Sequence, residues 1–198
     1  MRRIIASTFV TLDGFIVGPN EDMSWVMNNF NQEMGDYAGN LMNSMDTILL
    51  GRVTYEGMVK FWPFQTEATA PGAEKMNTTP KIVFSKSLQM AEWGSWNNAR
   101  VLKDRVAEEL SQMKQASGQD MVIYGSANLV QNLTRLGLID EYQLLVHPII
   151  LGSGKPLYSR MAEGHLSGIK LTLSRTQIYQ NGVVVLYYQP KISEPSPV

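Results

Sequence analysis

The chain has 198 residues, no cysteine, two histidines and a formal net charge of −1 at pH 7. The lack of cysteine excludes disulfides, thiolate nucleophiles and cysteine-based metal sites, and two histidines are too few for a histidine-rich metal centre. The near-neutral charge gives no electrostatic reason to expect nucleic acid or an anionic membrane as a partner. No apolar run is long enough to cross a bilayer or to form a signal peptide. We therefore expect one soluble, cytoplasmic domain over residues 1–190, followed by a disordered polar tail over residues 191–198.

The first third of the chain predicts strands separated by a helix. Residues 3–10 and 46–50 carry β-branched and aliphatic side chains, which is typical of buried strands. Residues 15–17 resume extended structure after a turn. Apolar side chains recur at helical spacing over about residues 32–44, which predicts an amphipathic helix. Residues 21–30 have no clean periodicity and predict a loop with one helical turn.

The middle of the chain continues this alternation. Residues 81–84 and 99–102 predict two further strands. Residues 106–113 carry apolar side chains at helical spacing, and the helix ends before Gly118. Residues 61–79, before the first of these strands, contain two prolines and predict an irregular surface segment with one short helix.

The segment 121–138 combines a strand, a turn of small residues and a helix. Met121–Tyr124 is an apolar run that is long enough for a buried strand and too short for a helix. Gly125–Ala127 then turns the chain, and apolar residues at helical spacing follow until Gly137. Such a turn leaves free backbone N–H groups at the helix start, and these groups attract phosphate together with the helix dipole. The alternative is an ordinary strand-to-helix turn that binds no ligand.

The carboxyl-terminal part predicts antiparallel pairing. Residues 140–148 predict a further strand. Residues 169–179 and 183–188 flank Asn181-Gly182, a pair that tolerates the positive φ of a tight hairpin turn. Strands that alternate with helices and end in a hairpin predict an α/β fold of three layers, α/β/α. Its sheet is mixed and mostly parallel, with an antiparallel C-terminal hairpin.

Three predicted strand ends carry residues that suit an anionic ligand, at 51–54, 85–87 and 125–128. Ligands of open α/β sheets bind beyond the carboxyl ends of the strands, so these loops share one rim if their strands are parallel neighbours. Arg52 and Lys86 then supply positive charge, and neighbouring hydroxyl groups supply hydrogen bonds. Taken separately, Arg52 is equally a solvated residue at a helix start, and the Ser-Lys-Ser segment is equally a polar turn.

Six motifs follow one another over about residues 3–188. They are Thr11–Gly14, Gly51–Glu56, Val83–Lys86, Ile123–Ser126, Gly137–Glu141 and His147–Gly154. In this order they resemble the dihydrofolate reductase-like superfamily. The closer resemblance is to the branch related to the C-terminal reductase domain of the bacterial bifunctional riboflavin-biosynthesis enzyme, RibD.

The resemblance implies a dihydrofolate reductase-like fold and an NADPH-binding reductase. It implies that the cofactor's phosphates meet Gly51, Arg52 and Thr54. The 2′-phosphate side of the adenosine would meet Ser85, Lys86 and Ser87. The pyrophosphate would be cradled by Gly125, Ser126, Ala127, Asn128 and Leu129. Because charge-assisted hydrogen bonds to a 2′-phosphate are strong, we expect a preference for NADPH over NADH.

On the substrate side the resemblance implies that Asp13 and Trp25 are catalytic residues. Asp13 would face the substrate and orient it or assist proton delivery. Trp25 would lie on the mobile loop that closes over the nicotinamide. The alternatives are that Asp13 only forms a turn with Gly14 and that Trp25 only packs on the sheet.

Two positions depart from the family pattern. Folate reductases carry a carboxylate shortly after the corresponding tryptophan, where this chain has Phe30, so Glu33 or Asp36 would have to replace it. Many family members have two glycines where this chain has Gly125 and Ser126, and a serine would resist a positive φ.

We therefore expect an enzyme that moves hydride from NADPH to a C=N or C=O bond of a small heterocyclic substrate. A compound like 5-amino-6-(5-phosphoribosylamino)uracil, or a pterin, would fit. The alternative is a non-catalytic dinucleotide-binding or regulatory module on the same fold. We also expect a homodimer that pairs through sheet edges, with residues 183–188 at the contact. Gly152–Gly154 is expected as a turn beside the cofactor or at that contact.

Overall fold

The computed structural model describes residues 1–158 and 168–191, so that the expected tail lies outside the described residues except for Lys191. The strands are β1 (Ile4–Thr11), β2 (Phe15–Val17), β3 (Met45–Gly51), β4 (Lys81–Phe84), β5 (Ala99–Leu102), β6 (Asp120–Ile123), β7 (Glu141–His147), β8 (Lys155–Pro156), β9 (Leu171–Ile178) and β10 (Val184–Pro190). The α-helices are α1 (Ser24–Met27), α2 (Gln32–Asn43), α3 (Arg52–Met58), α4 (Ala73–Thr78), α5 (Val106–Gln115) and α6 (Ala127–Arg135). Within the two described ranges, no helix is long and apolar enough to cross a membrane.

One eight-stranded sheet has the order β5-β4-β3-β6-β1-β7-β10-β9. The pairs from β5 through β7 are all parallel. β10 runs antiparallel between β7 and β9. This is the expected mixed, mostly parallel sheet with an antiparallel C-terminal hairpin, and the predicted fold class is confirmed.

Helices cover both faces of the sheet. Successive side chains of a strand point to opposite faces, so neighbouring residues of one strand are buried against different helices. Leu49 and Leu50 illustrate this, since both are fully buried but belong to different core clusters. The cluster around Leu49 includes side chains of α5 and α6. The cluster around Leu50 includes side chains of α2, α3 and α4. The three layers are therefore those expected from the sequence.

The C-terminal hairpin turns at the expected Asn-Gly pair, although only the glycine takes a positive φ. Gly182 has a φ of 84°. Its N–H donates to the carbonyl of Tyr179 at 3.0 Å, and the N–H of Tyr179 donates to the carbonyl of Val183 at 2.9 Å. The loop thus has three residues, and Asn181 keeps an ordinary backbone conformation.

The edge of the sheet is a different strand from the one expected. Residues 184–188 lie in β10, which pairs with β7 on one side and β9 on the other. Val183 and Val185 are fully buried. The edge strands are β5 at one end of the sheet and β9 at the other. All eight residues of β9 are exposed. Residues 183–188 therefore do not form the sheet edge that was expected at the dimer contact, because a strand paired on both sides has no free edge. The dimer itself stays a prediction.

Candidate functional site

Three of the expected binding loops lie side by side at one rim of the sheet. β4, β3 and β6 are parallel neighbours, so their carboxyl ends at Phe84, Gly51 and Ile123 lie at the same edge. The N–H of Gly51 donates to the carbonyl oxygen of Gly125 at 2.9 Å, which joins two of the loops directly. The convergence expected from the sequence is confirmed.

The contact between Gly51 and Ser126 leaves no room for a side chain on the glycine. A Cβ atom on Gly51 would lie 2.6 Å from Ser126 Oγ and 3.1 Å from its backbone nitrogen. The positive φ of this loop, 111°, falls on Gly125, whereas Ser126 has a φ of −94°. The serine therefore does not need a positive φ, and the φ of this loop does not oppose it.

Helix α6 begins at this loop without a side-chain cap. Ser126 is the N-cap residue, and its hydroxyl accepts no capping hydrogen bond. The first N–H groups of a helix have no intrahelical partner, and the helix dipole gives them a partial positive charge. Asn128 is exposed, whereas Leu129 is buried in the core, so that Leu129 could meet a ligand only through its backbone.

The fixed positive charges of the rim are the exposed side chains of Arg52 and Lys86. Arg52 Nη1 donates to both carboxylate oxygens of Glu56, at 2.7 and 2.9 Å. Ser85 Oγ accepts from the backbone N–H of Ser87 at 3.3 Å and so shapes the loop after β4. These residues lie on the rim but do not line the cleft beside it.

A cleft of about 810 Å³ opens where β1 and β6 separate. The two strands pair only between Ile4–Ala6 and Met121–Ile123. β6 then ends while β1 continues. Ser7 and Thr8 therefore have no partner in β6, and they line the cleft on that side of β1. The cleft also takes in Thr54 and Gly125–Ala127, so that it is continuous with the rim. Its volume is that of a small-molecule site.

One wall of the cleft is a small antiparallel ribbon of β2 and β8, in which Val17 lies opposite Lys155. The close approach needs Gly154, where a Cβ atom would lie 2.2 Å from the carbonyl oxygen of Val17. The Gly152–Gly154 turn thus lies beside the cleft. Its expected position beside the cofactor or at a dimer contact stays a prediction. Lys155 is exposed and is the one basic residue among the described residues that line the cleft. No sequence signal marked it.

A second part of the cleft lining is apolar and aromatic. It is formed by α3 and the residues after it, including Phe61 and Trp62, and by Tyr124 at the end of β6. Burial raises the pKa of the Tyr124 phenol above its ordinary value. The phenol therefore stays protonated at neutral pH and can donate a hydrogen bond to a ligand.

Asp13 lies at the rim, but the structure does not bring it into the cleft. Its carboxylate accepts from Thr11 Oγ1 at 2.5 Å and from the backbone N–H of Gly152 at 2.7 Å. The hydrogen bond from Thr11 is the main cause that lowers the pKa of Asp13. The carboxylate thus joins the turn after β1 to the loop after β7. This position agrees with the alternative that Asp13 serves to form the turn. Its contact with a substrate stays a prediction.

Trp25 does not line the cleft either, although it stands next to a segment that does. It lies in α1, is 6% exposed, and packs in a core cluster with Leu145 and Val185. The preceding loop, residues 18–23, contributes Glu21 and other residues to the cleft lining. Trp25 therefore anchors this loop to the sheet.

The carboxylates considered as replacements for the folate-binding acid also lie elsewhere. Glu33 accepts from the backbone N–H of Gln180 at 2.7 Å, and Asp36 accepts from Gln32 Nε2 at 2.7 Å. Among the described residues that line the cleft, Glu21 is the one carboxylate. Residues 1–158 and 168–191 contain no group of three or more side chains that could hold a metal ion.

Known proteins resemble this chain in sequence and in fold. A family model described as the RibD C-terminal domain matches residues 2–185. The uncharacterized protein YyaP of Bacillus subtilis (strain 168) is 33% identical over 192 residues, which cover 94% of each chain. A pyrimidine reductase-like protein from Corynebacterium diphtheriae has a TM-score of 0.72 at 14% identity, over 97% of this chain and 93% of that one. Dihydrofolate reductase from Enterococcus faecalis has a TM-score of 0.59 at 13% identity, over 96% of this chain and 97% of that one. The chain belongs to the RibD C-terminal domain family and has the dihydrofolate reductase-like fold.

Proposed function

We propose that the protein is an NADPH-dependent reductase that transfers hydride to a C=N or C=O bond of a small heterocyclic substrate. The observation that carries this proposal is the continuity of the cleft with the rim through Gly125–Ala127. A ligand with a flat reactive ring and a phosphate-bearing tail would span these two parts. Membership of the RibD C-terminal domain family supports the same conclusion.

The donors of the rim fit the anionic part of a dinucleotide. The uncapped N–H groups of α6 favour phosphate, and Gly51 and Thr54 lie beside them. Arg52 now pairs with Glu56, but an exposed ion pair contributes only about 0–1 kcal/mol, so an incoming phosphate can replace it. Lys86 and the hydroxyls of the same loop would hold the 2′-phosphate. These residues are therefore assigned to NADPH.

The cleft would hold the reacting rings. The chemistry that NADPH would supply here is a hydride, and a proton from solvent or a side chain would complete the reduction of C=N to CH–NH or of C=O to CH–OH. The aromatic wall would limit the access of water to the reacting rings. The protonated hydroxyl of Tyr124 would donate to the substrate heteroatom and stabilise the charge that develops there. Lys155 on the β2–β8 ribbon would bind a substrate phosphate, as in compounds like 5-amino-6-(5-phosphoribosylamino)uracil.

A non-catalytic dinucleotide-binding module is the second candidate. It is favoured by the position of Asp13, whose carboxylate is engaged in a turn, and by the lack of a carboxylate at Phe30. Such a module would keep the rim and bind NADPH without turnover.

Two measurements separate these candidates. Calorimetry with NADPH and with NADH should give binding of both, tighter for NADPH. The loss of NADPH absorbance should then be followed with aminopyrimidine, pterin and carbonyl substrates. Oxidation with at least one substrate supports the reductase, and binding without oxidation supports the module. If neither dinucleotide binds, both candidates are rejected.

A further inference from the structure

A row of hydrogen-bonded side chains runs along one face of the sheet from its amino edge to the cleft. Arg3 Nη1 donates to Glu141 Oε2 at 3.1 Å, and Gln143 Nε2 donates to Glu141 Oε1 at 2.6 Å. The Tyr37 hydroxyl donates to Gln143 Oε1 at 2.5 Å and lies 2.8 Å from Ser7 Oγ. Ser7 is the member of this row that lines the cleft.

The direction of each hydrogen bond follows from the carboxylate. Glu141 is paired with the guanidinium of Arg3 and can only accept, so the amide of Gln143 must turn its NH₂ group toward it. The opposite orientation would place the amide oxygen against a carboxylate oxygen. Glu141 and Gln143 are 8% and 6% exposed, so water cannot relieve that repulsion. The amide oxygen of Gln143 is therefore fixed toward Tyr37.

This orientation leaves the next two hydroxyl groups no choice. Burial raises the pKa of Tyr37, so the phenol keeps its single hydrogen, which goes to the amide oxygen of Gln143. The phenol oxygen can then only accept, and it takes the single hydrogen of Ser7. The Ser7 hydroxyl then keeps only its acceptor sites for a ligand in the cleft that this residue lines.

We propose that Ser7 acts in the cleft as a hydrogen-bond acceptor and selects a ligand that places an amide N–H group against it. This inference rests on the proposed function for its two candidate sources, the carboxamide of a nicotinamide and the lactam N–H of a pyrimidine or pterin. A ligand with a carbonyl or methyl group at that point leaves the acceptor sites of Ser7 unfilled, while the hydroxyl hydrogen of Ser7 stays on Tyr37. Loss of one such hydrogen bond corresponds to about a tenfold loss of affinity.

Two pairs of small probes test the inference without the whole cofactor. Nicotinamide and 3-acetylpyridine differ in whether an amide N–H is present, as do uracil and 1,3-dimethyluracil. Chemical shifts of the backbone amides, titrated with each probe, give the four dissociation constants. The wild-type chain should prefer the N–H member of at least one pair about tenfold. Preference within the first pair assigns the cofactor as the source, and preference within the second pair assigns the substrate.

Tyr37→Phe is the informative variant, because it leaves Ser7 in place but frees its hydrogen to point into the cleft. The preference within the pair should fall to about equality. Tyr188→Phe is the matched control and should keep the wild-type preference. Tyr188 is also a half-buried tyrosine, but it packs against the core cluster around Leu49, which does not include Tyr37. A melting curve of each variant checks folding, and general damage would weaken both members of a pair alike.

The ratio within each pair decides the outcome. Equal affinity of both members for the wild-type chain, or no binding of any probe, overturns the inference. An undiminished preference in Tyr37→Phe overturns it as well. If the preference is present while NADPH is neither bound nor oxidised, the proposed function fails and the role of Ser7 stands.

Discussion

The indole of Trp25 packs edge to face on the imidazole of His147, with ring centroids 5.0 Å apart and ring planes at 89°. On another side His147 meets the ring of Phe9 at 5.7 Å. Both ring nitrogens of His147 are buried without a hydrogen-bond partner among the described residues. Burial lowers the pKa of His147 below 6.5. The neutral imidazole is thus the form that holds α1, and with it the loop that lines the cleft, on the sheet.

The first prediction follows from this contact. As the pH falls through about 6.5, the unfolded chain takes up a proton that His147 in the folded chain resists, so the free energy of unfolding decreases. The loss is about 1.4 kcal/mol for each unit by which the folded pKa is lowered. His147→Phe keeps the edge-to-face packing and should flatten this dependence in melting curves between about pH 5 and 7.5. An unchanged slope in the variant would contradict the assignment.

The buried residue Lys81 makes the free energy of unfolding depend on pH above neutrality. Lys81 is 1% exposed; its Nζ donates to the carbonyl of Asn77 at 2.7 Å and lies 4.4 Å from the ring centroid of Trp93. Burial nevertheless lowers the pKa of Lys81 from 10.5 to about 7. The carbonyl and the ring therefore offset only part of the cost of burying the charge.

The unfolded chain binds this proton up to about pH 10.5, whereas the folded chain releases it near pH 7, so stability should rise with pH between these values. Lys81→Met keeps most of the side-chain volume and should remove the rise. Urea titrations at about pH 6.5, 8 and 9 measure it, below the range in which tyrosines ionise in the unfolded chain. Parallel curves for the wild type and the variant would mean that Lys81 keeps an ordinary pKa.

A matched pair of glycine substitutions tests the junction of the rim loops. Gly51→Ala would place a Cβ atom 2.6 Å from Ser126 Oγ, whereas Gly57→Ala, also in the α3 region, meets no atom within 4 Å. Gly51→Ala should lower the free energy of unfolding by about 1–3 kcal/mol through overpacking. Gly57→Ala should raise it by about 0.5–1 kcal/mol through helix propensity. Chemical denaturation compares the two, and equal effects would show that the loops separate without cost.

Sequence reasoning succeeded where a feature depends on local pattern. The alternation of strands and helices predicts parallel neighbours, and the ends of β3, β4 and β6 therefore share a rim as expected. The cleft could not be predicted in this way. Ser7 lines it only because β6 stops after Ile123, and Lys155 lines it only because β8 pairs with β2. Such long-range pairings leave no signal in a single sequence.

The dimer expected from the family stays a prediction, now assigned to another strand. We propose that β9 pairs with a second copy of the chain, because its outer edge has no partner strand among the described residues and Leu173 is 48% exposed. Light scattering should give twice the monomer mass. Leu173→Lys should yield monomers, and Ile150→Lys, at a 71% exposed isoleucine outside the sheet, should not. A monomeric wild type would reject the proposal.

The role of Arg52 in binding the cofactor gives the last prediction. Its ion pair with Glu56 lies on the surface, with side chains 44% and 41% exposed, so its loss should change the free energy of unfolding by no more than about 1 kcal/mol. A hydrogen bond from Arg52 to phosphate is charge-assisted, so Arg52→Ala should weaken NADPH binding about tenfold to a hundredfold. Added salt should weaken binding to the wild type more than to the variant, because one charge pair is missing in the variant.

Arg100→Ala is the control, since Arg100 is similarly exposed and also pairs with a glutamate, Glu109, but lies on β5 outside the rim loops. Calorimetry and melting curves of both variants separate the roles: if Arg52→Ala loses stability and affinity to the same extent, Arg52 is structural and the assignment of the rim to phosphate fails there.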